Sequence, residues 1–248
     1  MTRRFCVPVF VLTVTAFTAL GQDTPNPATK AVPRDEKWMA RHESFVKRAK
    51  QGDVDVLFLG DSITQGWEGG GKAAWKETFE PLKAANFGIG GDRTQHVLWR
   101  ITEGKELEGI NPKVAVVMIG TNNSGSDTPD QIAEGVTAIV KELRKQRPET
   151  KVLLLGVFPR STKPGKDYKD TPKIAVTDLQ PKVKQINDRI AKLDDGKTVK
   201  YLDIGARFLE ADGGLSREVM PDYLHLSPKG YAIWAEAIKG PVTDMLKH

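Results

Sequence analysis

"VLFLGDSITQGW", residues 56–67, decides how the chain is read. An apolar run stops at Gly60 and gives way to Asp61 and Ser62. Over 54–60 the run reads as a near-continuous apolar strand, the pattern of a strand covered on both faces in a parallel sheet. A hydroxyl on a small turn just past such a strand has two readings. Serine is a common helix N-cap. It is also a nucleophile when the turn holds it before the N–H groups of a helix start. The stretch is not a Gly-x-Ser-x-Gly elbow, because Thr64 stands where the second glycine is required.

Similar runs recur at "VAVVMIG" (114–120), "KVLLLGVFP" (151–159) and "VKYLDI" (199–204), with a weaker one near "AANFGI" (84–89). Helical periodicity fills 94–103, 129–146, 174–194 and 228–246, and a short helix over 35–52 precedes the first strand. This alternation predicts an α/β fold, a three-layer α/β/α sandwich around a parallel sheet of about five strands. Open sheets of this kind place ligands beyond the carboxyl ends of their strands. Four turns at those ends carry informative residues: "GDS", "GIGGD", "GTNN" and "GVFPRS".

The 248 residues suit one globular domain, assigned to 35–248, after a polar, proline-bearing linker over 22–34. Residues 1–21 read as an export signal: Arg3 and Arg4, then "FCVPVFVLTVTAFTAL", then small residues before a cut between Gly21 and Gln22. The apolar run of about 16 residues is shorter than the ~20 that span a bilayer, so cleavage is expected rather than retention as an anchor. The expected location is periplasmic or extracellular. The only cysteine, Cys6, lies in that segment, which leaves no disulfide and no thiol in the exported chain. The net charge of +5 becomes +3 once Arg3 and Arg4 are gone. Basic residues are interleaved with acids, as in "KELRKQRPETK", the pattern of a solvated surface and not of a nucleic-acid groove.

A nucleophilic serine needs a base. His42 lies in a charged helix, His248 ends the chain and His96 sits in a helical pattern beside Trp99. His225, in "MPDYLHLSPKGY", follows Asp222 by three residues, so one short loop can present an imidazole and the carboxylate that orients it. "NFGIGGDR" (86–93) brings backbone N–H groups close, because glycine permits a tight approach. "GTNN" (120–123) supplies an amide side chain; each turn taken alone also reads as ordinary turn chemistry. Gly66-x-x-x-x-Gly71-Lys72 lacks the hydroxyl residue of a phosphate loop, since Ala73 follows. Asn122-Asn123-Ser124 fits the glycosylation triplet, but a sugar there conflicts with the site. No cluster has convincing metal-ligand spacing.

Together the turns resemble the SGNH (GDSL-type) hydrolase superfamily. Gly60-Asp61-Ser62, Asn86-x-Gly88-x-x-Gly91, "GTNN" and Asp222-x-x-His225 match its motifs in order, across about residues 50–245. Within it, "NFGIGGDRTQHVLWR" and "KVAVVMIGTNN" are similar to the esterases like the catalytic subunits of platelet-activating-factor acetylhydrolase. The resemblance implies Ser62 as nucleophile, His225 as base and Asp222 as its orienting acid. It implies an oxyanion hole from the Ser62 N–H, the Gly91 N–H and the Asn122 amide. It implies no cofactor or metal, and a homodimer as in those relatives. The substrate expected is a short-acyl ester, acetyl before others, with an acetylated carbohydrate as the leading class. Ile63, Trp67, Phe158 and Leu224 are expected to shape the acyl pocket. The alternatives are a lysophospholipase or thioesterase, or a non-catalytic carbohydrate-binding module on the same fold.

Overall fold

The computed structural model describes residue 2 and residues 25–163, 165 and 170–247. Apart from residue 2, the expected signal over 1–21 lies outside the described residues. The elements run α1 (Glu36–Lys50), β1 (Val56–Gly60), α2 (Ser62–Gln65), α3 (Lys72–Thr78), β2 (Ala84–Gly88), α4 (Thr94–Ile101) and β3 (Val114–Met118). They continue with α5 (Pro129–Gln146), β4 (Lys151–Leu155), β5 (Lys173–Ile174), α6 (Pro181–Ile190), β6 (Val199–Leu202), β7 (Leu215–Ser216) and α7 (Pro228–Lys247).

Five strands form one parallel sheet in the order β2-β1-β3-β4-β6. β1 lies between β2 and β3, with Phe58 opposite Asn86 on one side and Val116 on the other. The chain steps from β1 out to β2 and back to β3, so the sheet's switch point lies at the end of β1. Alternation of side chains gives each strand two buried faces. Leu57, Leu59, Val117 and Leu154 pack with residues of α1, α4, α5 and α6, such as Phe45, Val97, Val136 and Ile186. Val56, Phe58, Val116 and Leu153 pack on the other face with α7 residues, such as Trp234 and Ile238. Each such Leu, Val or Phe taken out of water contributes about 1.5–3 kcal/mol. The expected three-layer architecture is therefore present, with its helices on both faces of the sheet.

Caps explain most boundaries. Asp35 accepts from the Trp38 N–H and starts α1. Thr128 and Gln131 exchange backbone bonds in a capping box, with Pro129 in the first turn of α5. The helix expected over 174–194 shrinks to Pro181–Ile190 plus a 3₁₀ turn, Ala191–Leu193. Pro181 belongs at a helix start, and the residue before a proline is pushed to extended backbone, as Gln180 is. Residues 173–174 instead pair with β7 as a small antiparallel ladder.

The linker expected over 22–34 is corrected for its described part, 25–34, which packs on the domain. Asn26 caps a 3₁₀ turn, Pro27–Thr29, and donates to Gln131 O. Ala28 is buried, and its carbonyl accepts from Thr94 Oγ1. The prolines and polar residues that suggested a linker here supply turns and caps. No helix among the described residues is long and apolar enough to cross a membrane.

Candidate active site

Ser62 is the first residue of α2, immediately beyond β1. Asp61 caps this helix by accepting from the Ile63 N–H at 3.0 Å. Two glycines permit the close fit of α2 against the sheet. A Cβ on Gly60 would stand 2.2 Å from Thr64 Oγ1 and 2.4 Å from Met118 O. One on Gly88, which pairs with Gly60 across β1 and β2, would stand 2.2 Å from Gln65 N. From α7, the Tyr231 hydroxyl donates to Ile63 O at 2.6 Å. Asp61 is fully buried, and its second oxygen, Oδ2, has no partner among the described residues. Burial pushes its carboxyl up to about 7.

His225 and Asp222 occupy the loop before α7. Ser62 Oγ lies 2.9 Å from His225 Nε2, and His225 Nδ1 lies 2.7 Å from Asp222 Oδ2. The backbone N–H groups of His225 and Leu224 donate to Asp222 Oδ1 at 2.7 and 3.1 Å. Burial draws the Asp222 carboxyl up, but the bonds from His225 and Leu224 outweigh it and hold the group at about 2. An ionised Asp222 only accepts, so Nδ1 carries the imidazole proton and Nε2 is free to accept from Ser62 Oγ–H. The Asp222 hydrogen bond raises the His225 pKa above its ordinary value of 6.5 against burial; the charges of Asp222 and Asp61 add to the rise, and Arg160 opposes it. The turn needs Tyr223 at φ 57°, a left-handed conformation that a bulky residue holds only under firm tertiary anchoring. That anchor is a buried side chain whose hydroxyl donates to Thr171 O, beside β5. The histidine and aspartate side chains are 45% and 38% exposed, so water reaches them.

Facing Ser62 from the other side is the turn after β2. Ile89 N donates to Gly60 O, Gly90 N to Gln65 Oε1 and Asp92 N to Ile89 O. Gly91 sits at φ 78°, a conformation natural to glycine, and its own N–H has no acceptor among the described residues. Asn122, past β3, donates one amide hydrogen to Asp92 O at 2.8 Å and keeps the other. Three strand ends thus converge: Ser62 from β1, Gly91 from β2 and Asn122 from β3.

This turn is anchored by buried charge. Asp92 accepts from Arg100 Nη1 at 2.8 Å, Trp38 Nε1 at 2.6 Å and Arg34 Nη1 at 3.3 Å. Arg100, wholly buried, also forks onto Glu106 at 2.8 and 2.6 Å. Glu106 meets His42 Nδ1 at 2.8 Å. Burial raises the Asp92 carboxyl despite the arginine beside it. Sequence reading passed over Arg34, Asp92 and Arg100; the available signal was Arg100 near the end of an amphipathic helix, with acids just before and after that helix at 92 and 106.

The structure gathers Ser62, His225, Asp222, Gly91 and Asn122 but corrects the expected acyl pocket. Ile63, Trp67 and Phe158 are buried core residues, packed among Trp234, Tyr231, Phe58 and Phe208. Ile63 on α2 and Trp67 on the 3₁₀ turn that follows it, Gly66–Glu68, pack with Phe58 of the sheet, and Phe158, three residues past β4, packs against Phe208 and Trp234. Leu224 alone of the four is partly exposed. His42 belongs to the buried charge chain, and His96 accepts from Arg93 N with its pKa lowered by burial to about 4. Asn123 is structural: its side chain accepts from Thr94 N and donates to Asp127. Arg160, unforeseen, donates to Thr121 O at 3.0 Å and steadies the turn that carries Asn122. Among the described residues no group of three or more His, Asp or Glu side chains is placed to hold a metal ion.

The sequence profile described as "GDSL-like Lipase/Acylhydrolase family" matches residues 58–233. The human platelet-activating factor acetylhydrolase IB subunit alpha1 is 41% identical over 227 residues, covering 89% of this chain and 91% of that one. The chicken subunit alpha2 is 42% identical over 206 residues, covering 83% of each. A GDSL-like lipase from Bacteroides thetaiotaomicron shares the fold with a TM-score of 0.63 at 19% identity, over 83% of this chain and 98% of that one. Est24, a carbohydrate acetylesterase from Sinorhizobium meliloti, superposes with a TM-score of 0.56 at 19% identity, over 77% and 99%.

Proposed function

The chain belongs to the GDSL-like lipase/acylhydrolase family, and from that premise we propose that it is a serine esterase that removes acetyl or another short acyl group from an alcohol. The observation that carries this reading is the run of hydrogen bonds Ser62–His225–Asp222, at 2.9 and 2.7 Å, beside the free donors of Gly91 and Asn122.

In this reading Ser62 Oγ attacks the ester carbonyl carbon while His225 Nε2 takes its proton. The carbonyl oxygen becomes an oxyanion held by the N–H groups of Ser62 and Gly91 and the second amide hydrogen of Asn122. The C–O bond to the alcohol breaks, and His225 returns the proton to the departing oxygen. Water, deprotonated by His225, then cleaves the acyl-serine and restores the hydroxyl. Asp222 fixes the tautomer and stabilises the imidazolium in both halves.

Two points support a short acyl group. The side chains expected to wall an acyl pocket, Ile63, Trp67 and Phe158, are packed into the core. Relatives over 80% of the chain carry the name acetylhydrolase. An acetylated carbohydrate is the alcohol class we favour, and export through residues 1–21 is part of the same proposal. The test is hydrolysis of p-nitrophenyl acetate, butyrate and octanoate by the protein and by Ser62→Ala. Acetate turnover lost in the variant is the expected result. Preference for octanoate would move the reading to a lysophospholipase or thioesterase. No serine-dependent turnover, together with no labelling by a fluorophosphonate, would leave a binding module.

A further inference from the structure

The peptide planes of the turn after β2 are tied unequally. The plane from Gly88 to Ile89 is held at both ends. Arg41 donates through Nε and Nη2 to Gly88 O at 3.0 and 2.9 Å, and Ile89 N donates to Gly60 O. The next plane is held at both ends too: Ile89 O accepts from Asp92 N, and Gly90 N donates to Gln65 Oε1 at 2.7 Å. The third plane joins Gly90 to Gly91. Its carbonyl, Gly90 O, has one donor among the described residues, Arg34 Nη1 at 2.8 Å, and its N–H is the free donor of Gly91. A Cβ on Gly90 would stand 3.7 Å from Ser62 Cβ, so this plane lies against the nucleophile.

The carbonyl and the N–H of a trans peptide point in opposite directions. A donor fixed on Gly90 O therefore sets the direction of the Gly91 N–H. Glycine on both sides of the plane offers little steric resistance to its rotation. A turned plane would aim the Gly90 carbonyl, and not the Gly91 N–H, at the place where negative charge develops. The guanidinium is itself held close: Arg34 Nη1 is 3.3 Å from Asp92 Oδ1, and a Cβ on Gly91 would stand 3.1 Å from the same nitrogen. A hydrogen bond from a charged donor is stronger than a neutral one. It also polarises the amide that accepts it, which strengthens that amide's N–H as a donor in turn. Arg34 lies ahead of residues 58–233, the stretch that the family profile matches.

We propose that Arg34 is a positioning residue of the oxyanion hole: by holding Gly90 O it fixes the Gly90–Gly91 peptide with the Gly91 N–H toward the developing oxyanion. It touches neither the substrate nor the reacting atoms and acts through that peptide. The proposal rests on the esterase reading above and adds to it a residue outside the four motifs.

The experiment compares the unaltered protein with Arg34→Met and Arg34→Lys on p-nitrophenyl acetate and p-nitrophenyl thionoacetate, the slower reactions followed at stoichiometric enzyme. Sulfur is a weak hydrogen-bond acceptor, so the thionoester draws little on the oxyanion donors. Methionine should lower kcat for the acetate by about 10- to 100-fold, part of the roughly 10²–10³-fold that loss of a whole donor costs, with KM little changed. The thionoester should lose much less, so the ratio of the two rates falls. Lysine, which can still donate to Gly90 O, should recover part of the loss. Tm should stay nearly constant, since Asp92 keeps Arg100 and Trp38. A kcat unaffected by methionine would overturn the proposal. So would an equal fall for ester and thionoester, the mark of a displaced serine or histidine. A lysine variant as slow as the methionine one would assign the effect to packing on Gly91 and overturn it as well. Failure of the esterase reading shows separately, as acetate turnover by the unaltered protein that does not depend on Ser62.

Discussion

The oxyanion side of the site is held by buried charge, whereas the proton-carrying side is held by local turn chemistry. Gly91 and Asn122 stand on strand ends joined through Asp92, which Arg100 and Trp38 grip out of reach of water. His225 and Asp222 stand at the two ends of a four-residue turn, 45% and 38% exposed, bonded to each other and anchored to the fold through Tyr223. The difference follows the work proposed for each half. Donors that meet a developing charge must be in place beforehand, because reorganisation during the reaction would cancel their benefit. A base that also activates water must remain open to water.

If this contrast is sound, damage to the loop should abolish chemistry and spare the fold, and damage to the buried charges should do more to the fold. The largest effect is expected of Ser62→Ala or His225→Ala, a loss of about 10⁶-fold in kcat, since such groups act as a unit. Calorimetry on His225→Ala should show a nearly unchanged Tm; a large fall would erase the distinction between the halves. Asp222→Asn should cost about 10⁴-fold. Its pH profile carries the sign. Only neutral imidazole accepts the serine proton, so activity falls as pH drops through the His225 pKa, which lies above 6.5. Loss of the Asp222 bond should move that acid limb to lower pH, and a limb that stays put would contradict the assignment.

On the buried side, Arg100→Met leaves Asp92 and Glu106 without their shared partner. Urea titration should show a loss of about 3–5 kcal/mol, the cost of stranding buried charge. Asn122→Ala should cost about 10²–10³-fold in kcat with little change in KM. The smallest effect belongs to Asp61→Asn. Folded Asp61 holds its proton up to about pH 7, against an ordinary value of 3.8. The folded state thus binds the extra proton between about pH 4 and 7, and stability declines as pH rises through that window. Asparagine keeps the cap without the charge, so the variant should be more stable by about 1–3 kcal/mol at pH 8. It should show no gain at pH 4; equal slopes for the two proteins across the window would remove Asp61 from the account.

The same contrast explains what could be read beforehand. β1 and β3 announced themselves because both their faces are buried, and the turns beyond them carry Ser62 and Asn122. His225 and Asp222 were legible because their interaction is local, three residues apart. Arg34, Asp92 and Arg100 were not, since their meaning lies in contacts across 8 to 58 residues of chain. The acyl-pocket residues failed for a related reason: Ile63 and Trp67 stand close to the nucleophile in the chain, but a short helix and the 3₁₀ turn after it, packed on the sheet, turn those side chains inward. The helix expected from residue 174 failed because its periodicity continued through a segment that Pro181 prevents from being helical.

Arg34 carries one more consequence. It lies in the stretch that composition sets apart as a leader to the domain, yet its guanidinium holds the carbonyl of Gly90. A protease that trimmed the chain to the start of α1 would leave every motif residue intact and still loosen the turn that bears Gly91. Such a cut would act as a throttle on turnover. The catalytic unit therefore extends at least to Arg34, two residues ahead of the first residue of α1.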